Sequence, residues 1–541
     1  MGAPMRAGEP PSARCNTHRR ALAAGQAWGK AAARVRVRPS APSAPSGRHL
    51  PPCVRSLRLL TRRASLPATP HDAYRPALLP LAVYEIHSMY ESSFSKLTER
   101  FFKDKPWPKV DAISHLTGDD HVFSMLYSEM YYRHVYARLQ PTLEQRCESW
   151  DNYCELFKVI LGTKINMQLP NSWLWDMVDD FIYQFQSYCA YRAKLRQKGP
   201  QEINVLRECD QVWNALGVLK YLQAFVDKSD IVNILKQERE GGDRSFTETD
   251  GYGYGKGSNV LRTLGYFSLV GLLRVHCLLG DYHSALQAAA PLGLSQPGAA
   301  LYQRVTGCHI SVYYYSGFAH IMRREYTLAA KAFNHILLYI SRTKQFHTQT
   351  AAYEQIIKRN EEMYALMAIC TALSPQDRVV DESVQKACME KHADKLQRMA
   401  AGQLGGYDEL FTYSCPKFVT PAPPNYDDAK ADLSQDAYKL QLGIFMEEVK
   451  QQARLPKLRS YLRLYTTIPI AKLASFMEVS EAEILSLLMA FKHKLGGRDN
   501  LHFYVQDKMV HVCDARVEKK HGEFFASNIV RLSELTKEIN A

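Results

Sequence analysis

The densest glycine run in the chain, GYGYGKGS at 251–258, holds the raw material of a phosphate cradle: backbone amides unscreened by side chains, with Lys256 among them. A nucleotide loop also needs Ser or Thr directly after the lysine, or a G-x-G-x-x-G frame between a strand and a helix. Here Gly257 follows Lys256, Ser258 stands where a third glycine is required, and no strand pattern precedes the run. An inter-helix loop is expected instead. Asp176, Asp179 and Asp180 lie close together and invite a reading as paired carboxylates for acid–base work. Neither His nor any other ligand stands at matching spacing, so a solvated helix face is expected. Twelve cysteines are scattered with no C-x-x-C pair and no Cys/His cluster at zinc spacing, which suits reduced thiols packed as small apolar residues. With no H-E-x-x-H, G-x-S-x-G or kinase motif set, the sequence offers no catalytic residue, no cofactor site and no metal site.

The elements that would have to position any chemistry are helices. With 541 residues, 46% of them hydrophobic, the chain can bury a large core and divide into two to four domains. The formal charge of +13 suggests nucleic acid, yet residues 1–80 hold fourteen Lys or Arg against Glu9 and Asp72, leaving 81–541 at +1. That first segment, rich in Ala, Pro, Ser and Arg, is too poor in apolar periodicity to fold and is expected to be a disordered extension, although its composition resembles a transit peptide. No run reaches the roughly eighteen apolar residues that span a bilayer; the most apolar stretch, 266–279, is broken by Arg274 and His276.

From about residue 83 helical segments follow one another. Pro170, Asn171 and Ser172 open one in which Trp175, Val178, Phe181, Ile182, Phe185 and Tyr188 or Cys189 share a face, a spacing that predicts core. Between 264 and 340 the sequence repeats itself. Gly280-Asp281-Tyr282 with Ala285 and Ala289 answers Glu325-Tyr326 with Ala329 and Phe333, and Gly317 takes the small-residue position of a tetratricopeptide-like first helix. The 44-residue offset between Tyr282 and Tyr326 exceeds the usual 34, so the repeats are irregular, with a loop at 291–300. A second loop, at 416–436, carries Pro421, Pro423 and Pro424.

Residues 456–541 read as three short helices, a hairpin and one long helix. Thr466 and Thr467 are expected to cap a helix with Pro469 in its first turn and Ile470, Leu473, Ala474 and Met477 on its apolar face. Ser480 and Glu483 form a capping box ahead of Ile484, Leu487, Leu488 and Phe491, and Gly496 and Gly497 end that helix. The stretches 501–505 and 509–513 alternate around Gln506, Asp507 and Lys508 as a wing. Phe525, Ile529, Leu532, Leu535 and Ile539 then line one stripe of a terminal helix, which needs a partner. A helix-turn-helix reader presents cationic or amide side chains at the start of its second helix. Here Glu481, Ala482 and Glu483 occupy those positions, and Leu485 and Met489 add apolar surface, so protein contact is the better expectation. Lys492, His493 and Lys494 at the far end are accounted for by the helix dipole.

Helical repeats feeding a winged helix and a terminal helix resemble the PCI-domain scaffold proteins of the proteasome lid, the signalosome and eukaryotic translation initiation factor 3. The segments LTERFFKDKPWP (97–108), YYRHVYA (131–137), LPNSWLWDMVDDFIYQFQSYCAYR (169–192), LGYFSLVGLLRVHCLLGDY (264–282), FTYSCPKF (411–418) and LYTTIPIAKLASFM (464–477) closely resemble the subunit L family of that initiation factor. Two features depart from the family: the basic 1–80 segment, and a short connection at about 495–500 where a longer insertion is usual. The resemblance implies a mainly α fold, a right-handed tetratricopeptide-like solenoid followed by a winged helix with a small hairpin wing and a C-terminal helix. Expected divisions are a 1–80 extension, an N-terminal helical region at 81–250, repeats at 251–455 with the PCI domain starting near 305, a winged helix at 456–515 and a bundle helix at 516–541. It further implies a non-enzymatic, cytoplasmic scaffold without cofactors. Its expected partners are other initiation-factor subunits of PCI and MPN type and the small ribosomal subunit, with RNA contact indirect or weak and no membrane contact. Assembly would support recruitment of initiator tRNA and mRNA. By this resemblance Phe503, Tyr504, Val505, Val510 and Val512 belong to the wing interface or the core beneath it, and Phe525, Leu532, Leu535 and Ile539 to a shared helical bundle. The alternatives are a lid- or signalosome-type subunit and a winged-helix RNA-binding protein.

Overall fold

A computed structural model describes residues 87–540, apart from 89, 92–93, 95–96, 118–119, 163–166, 243–244, 250–257, 295–299, 348–352, 375–379, 428–432, 495–500 and 515–516. The basic 1–80 segment, the glycine run up to Gly257, much of the 291–300 loop and the 495–500 connection therefore lie outside the described residues. Two compact units emerge. One runs to Tyr315 and takes in Lys417–Ala437; the other comprises Ser316–Pro416 and Tyr438–Ala541.

The first unit is built from α1 (Val110–Thr117), α2 (His121–Arg138), α3 (Leu143–Gly162), α4 (Asn171–Ala193), α5 (Pro200–Glu208), α6 (Ala215–Ser229), α7 (Ile231–Arg239), α8 (Val260–Leu279) and α9 (Tyr282–Ala289). The aromatic face of α4 is its core: Trp175, Val178, Phe181, Ile182, Phe185, Tyr188 and Cys189 are all buried. Phe181 meets Tyr153 and Phe157 of α3 edge-on, with ring centroids 5.2 and 5.0 Å apart, a geometry that sets each ring's positive edge against the other's negative face. Helix α8 is buried at nearly every position and packs on α4 and α6. Gly265 permits this, since a Cβ there would fall 2.0 Å from the Ser229 hydroxyl of α6. The described proline-bearing residues from Lys417 onward belong to this unit: Val419 donates its amide to the Leu278 carbonyl at 2.9 Å, and the Gln186 amide donates to the Lys417 carbonyl at 2.6 Å.

Helix α10 (Thr306–Met322) runs from the first unit into the second, which continues with α11 (Tyr326–His347), α12 (Tyr353–Leu373), α13 (Glu382–Ala400), α14 (Gly405–Ser414) and α15 (Asp436–Leu464). The internal repeat is visible at both turns. Gly280 ends α8 at φ 85° and Asp281 caps α9 by accepting the Ser284 amide at 3.1 Å. The α10–α11 turn places Arg324 at φ 68° in the same role. Gly317 of α10 lies against the Phe333 ring of α11, and Ala329 is buried beside it.

The winged helix follows as β1 (Thr467–Pro469), α16 (Ile470–Met477), α17 (Glu481–Lys494), β2 (Leu501–Gln506), β3 (Met509–Asp514) and α18 (Val517–Asn540). Its core holds the expected faces of α16 and α17 together with Leu455, Leu458 and Leu462 from the end of α15. Two details differ from the sequence reading. The first helix of the module is no separate element: α15 continues through Pro456, because the leucines beyond it are drawn into this core. Thr467 does not cap a helix but joins a third strand, antiparallel to β3 in the order β1-β3-β2, with Ile468 opposite Val510. Pro469 is tolerated there because an edge strand needs no amide on its outer side.

Candidate protein-docking surface

Strand pairing decides what the wing can offer. Val505 pairs with Val510 and Phe503 with Val512, so these four point to the domain side of the hairpin, while Tyr504 and His511 share the outer face. Val510 in the middle strand is fully buried, and Phe503 and Val512 pack against the winged-helix core. These three belong to the core beneath the wing. Phe503 lies with its ring centroid 6.1 Å from that of Phe491 of α17. Tyr504 remains 49% exposed and stacks on His511 at 4.9 Å, and Val505, near the turn of the outer strand, remains 44% exposed. Beside them β2 is an edge strand in the sheet order β1-β3-β2, and among the described residues its outward amides and carbonyls have no ladder partner.

The terminal helix is the larger apolar surface. Phe525, Ile529, Leu532, Leu535 and Ile539 are between 44% and 82% exposed, so none belongs to a core formed by the described residues. Phe524 and Val530, which the stripe reading missed, widen the face; each directly neighbours a stripe member in sequence. Leu485 and Met489 of α17 are exposed as well, beside the carboxylates Glu481 and Glu483. Both glutamates are exposed at the start of the helix; the Glu483 amide donates to the Ser480 hydroxyl at 3.3 Å, and the Glu483 carboxylate stands 3.9 Å from Arg454.

The aspartates of α4 behave differently from a solvated face. Tyr90 donates its hydroxyl to Asp176 at 2.7 Å, Gln184 donates its amide to Asp180 at 2.5 Å, and Arg274 pairs with Asp179. Arg133 joins them from α2, bonded to Tyr90 and to the fully buried Glu129, with Asp176 3.5 Å away. Burial pushes Asp180 up to about 7 and Asp176 to about 6, with Arg133 pulling the other way in both cases. Partners from α2, α8 and the residues around Tyr90 thus make this a charge network within the first unit; sequence spacing, which sees only α4, gave no sign of it. Among the described residues no group of three ligands is placed to hold a metal ion, and no helix is long and apolar enough to cross a membrane.

Residues 145–532 match the family model described as "RNA polymerase I-associated factor PAF67". The chain is 43% identical over 478 residues to the protein of Nematostella vectensis named eukaryotic translation initiation factor 3 subunit L, covering 85% of this chain and 90% of that one. It is 44% identical over 470 residues to the Homo sapiens protein of the same name, covering 83% and 82%. The Xenopus tropicalis protein gives the same figures.

Proposed function

The chain belongs to the eukaryotic translation initiation factor 3 subunit L family, and from that premise we propose that it acts as a cytoplasmic, non-enzymatic docking subunit within the multi-subunit factor. The observation that carries this reading is the apolar face of α18, which is exposed along its length from Phe524 to Ile539. A face of that extent on a soluble chain marks a surface that other proteins cover. In this reading α18 enters a helical bundle with other subunits of PCI and MPN type. The free edge of β2, with Tyr504 and Val505 beside it, takes a neighbouring winged helix by strand addition. Assembly of this kind supports binding to the small ribosomal subunit and recruitment of initiator tRNA and mRNA.

The test is direct. Leu532→Asp with Ile539→Asp alters two exposed positions, so the folded chain should lose no more than about 0.5 kcal/mol per site. Co-purification with other initiation-factor subunits, followed by mass spectrometry, should fall sharply. Undiminished recovery of those subunits with the double variant would remove the bundle role. Direct RNA reading by α17 is disfavoured by Glu481 and Glu483, which would face phosphate at the positions that enter a groove.

A further inference from the structure

Glu448 of α15 is buried, and the docking surface makes no use of it. A carboxylate taken out of water is tolerated only with cations close by. Two converge on it from distant parts of the second unit. Arg324 Nε stands 2.8 Å from one carboxylate oxygen, and Lys494 Nζ donates to the other. Arg324 lies in the turn joining the repeat helices α10 and α11; Lys494 closes α17 of the winged helix. One carboxylate therefore ties the repeats to the winged helix.

The turn supports a selected role. Arg324 holds φ at 68°, a conformation glycine adopts freely and other residues seldom do. The preceding helix pair places Gly280 at the equivalent turn. What arginine adds over glycine there is a side chain, and that side chain reaches Glu448.

The helix supports it too. Pro456 has no amide proton to give the Gln452 carbonyl, so the α15 ladder loses a hydrogen bond at that point. Before that gap Phe445 stacks on Phe411 of α14 at 4.4 Å; after it Leu458 and Leu462 lie in the winged-helix core. A lapse placed between two packed halves is where a helix bends. Lys494, itself mostly buried, reaches back across it and carries most of the tie, whereas the Arg324 side chain and the Arg454–Glu483 contact are half-exposed or more and correspondingly weaker.

We propose that Arg324, Glu448 and Lys494 form a latch that fixes the winged helix on the repeats across a hinge at Pro456, so that wing and terminal helix are presented at one angle. The presentation rests on the docking reading; the latch does not. Hydrogen exchange of the full chain, read by mass spectrometry, tests it. In Glu448→Gln, which keeps shape and hydrogen-bonding capacity, peptides covering 449–464 should exchange at least about tenfold faster. Peptides from α11, α12, α16 and α17 should keep their original rates. Lys494→Gln must reproduce the local change, and decides alone if Glu448→Gln loosens the unit as a whole. Original rates over 449–464 in Lys494→Gln, or equal acceleration in all five elements, overturn the latch. Local loosening with undiminished co-purification of partner subunits keeps the latch and removes its role in docking.

Discussion

Asp180 carries the plainest residue-scale consequence. Its carboxyl faces Glu129 and Asp179 as well as Arg133, with Gln184 and the Tyr153 hydroxyl beside it, and burial raises it to about 7 from an ordinary value of 3.8. The folded state therefore holds this proton more tightly than the unfolded chain does. By linkage the cost of the buried carboxylate is full above pH 7 and shrinks as pH falls through 7 toward 4. Asp180→Asn should raise the melting temperature of the first unit at pH 8, by about 2–4 °C for each kcal/mol relieved, and flatten its dependence between pH 6 and 8. Calorimetry at both pH values checks this; an unchanged slope would assign the titration elsewhere. Asp176, with 43% of its side chain in solvent, is screened and should contribute less. Three aspartates within five residues were readable from sequence as one side of one helix. Their partners were not, because Tyr90, Glu129 and Arg133 come to them from α2 and the residues before it, a proximity that only the fold creates.

At the scale of elements, periodicity predicted well wherever one helix buries one stripe. The faces of α4, α16 and α17 all lie where the spacing put them. Gly317 and Phe333 likewise follow from the repeat, and they make a prediction: a Cβ on Gly317 would stand 2.6 Å from the Phe333 ring. Gly317→Val should cost roughly 1–3 kcal/mol by overpacking, read as a lower urea midpoint with unchanged slope. No loss of stability would show that α10 and α11 can separate there. What eluded the sequence were features set by competition between elements. The three-helix module is expected to begin at 456, yet the pull of Leu455, Leu458 and Leu462 into the winged-helix core carries α15 straight through Pro456. The alternation of the wing was legible. Which of its two faces met the domain was not, since apolar residues occupy both, and only pairing with β1 and β3 sends Val510 inward and leaves Tyr504 outside.

On the scale of the whole molecule, charge separates two kinds of binding. Residues 1–80 carry fourteen basic and two acidic side chains, whereas the remaining chain is near neutral at +1. Neutralising phosphates releases counterions, so affinity for RNA falls with salt in proportion to the contacts made; six to ten contacts correspond to a loss of about 10³–10⁵ between 50 and 200 mM. If the folded body binds proteins rather than RNA, that salt dependence must belong to the basic segment. Fluorescence anisotropy with a labelled single-stranded RNA should therefore give a steep dependence for the full chain and a nearly flat one for a variant lacking residues 1–80. The same deletion should leave co-purification with initiation-factor subunits intact, because the apolar face of α18 and the edge of β2 are untouched. A steep slope that survives the deletion would place phosphate contacts in the body itself. The exposed Lys492 and His493 at the end of α17 would then be the first to replace, since Lys494 beside them is already committed to Glu448.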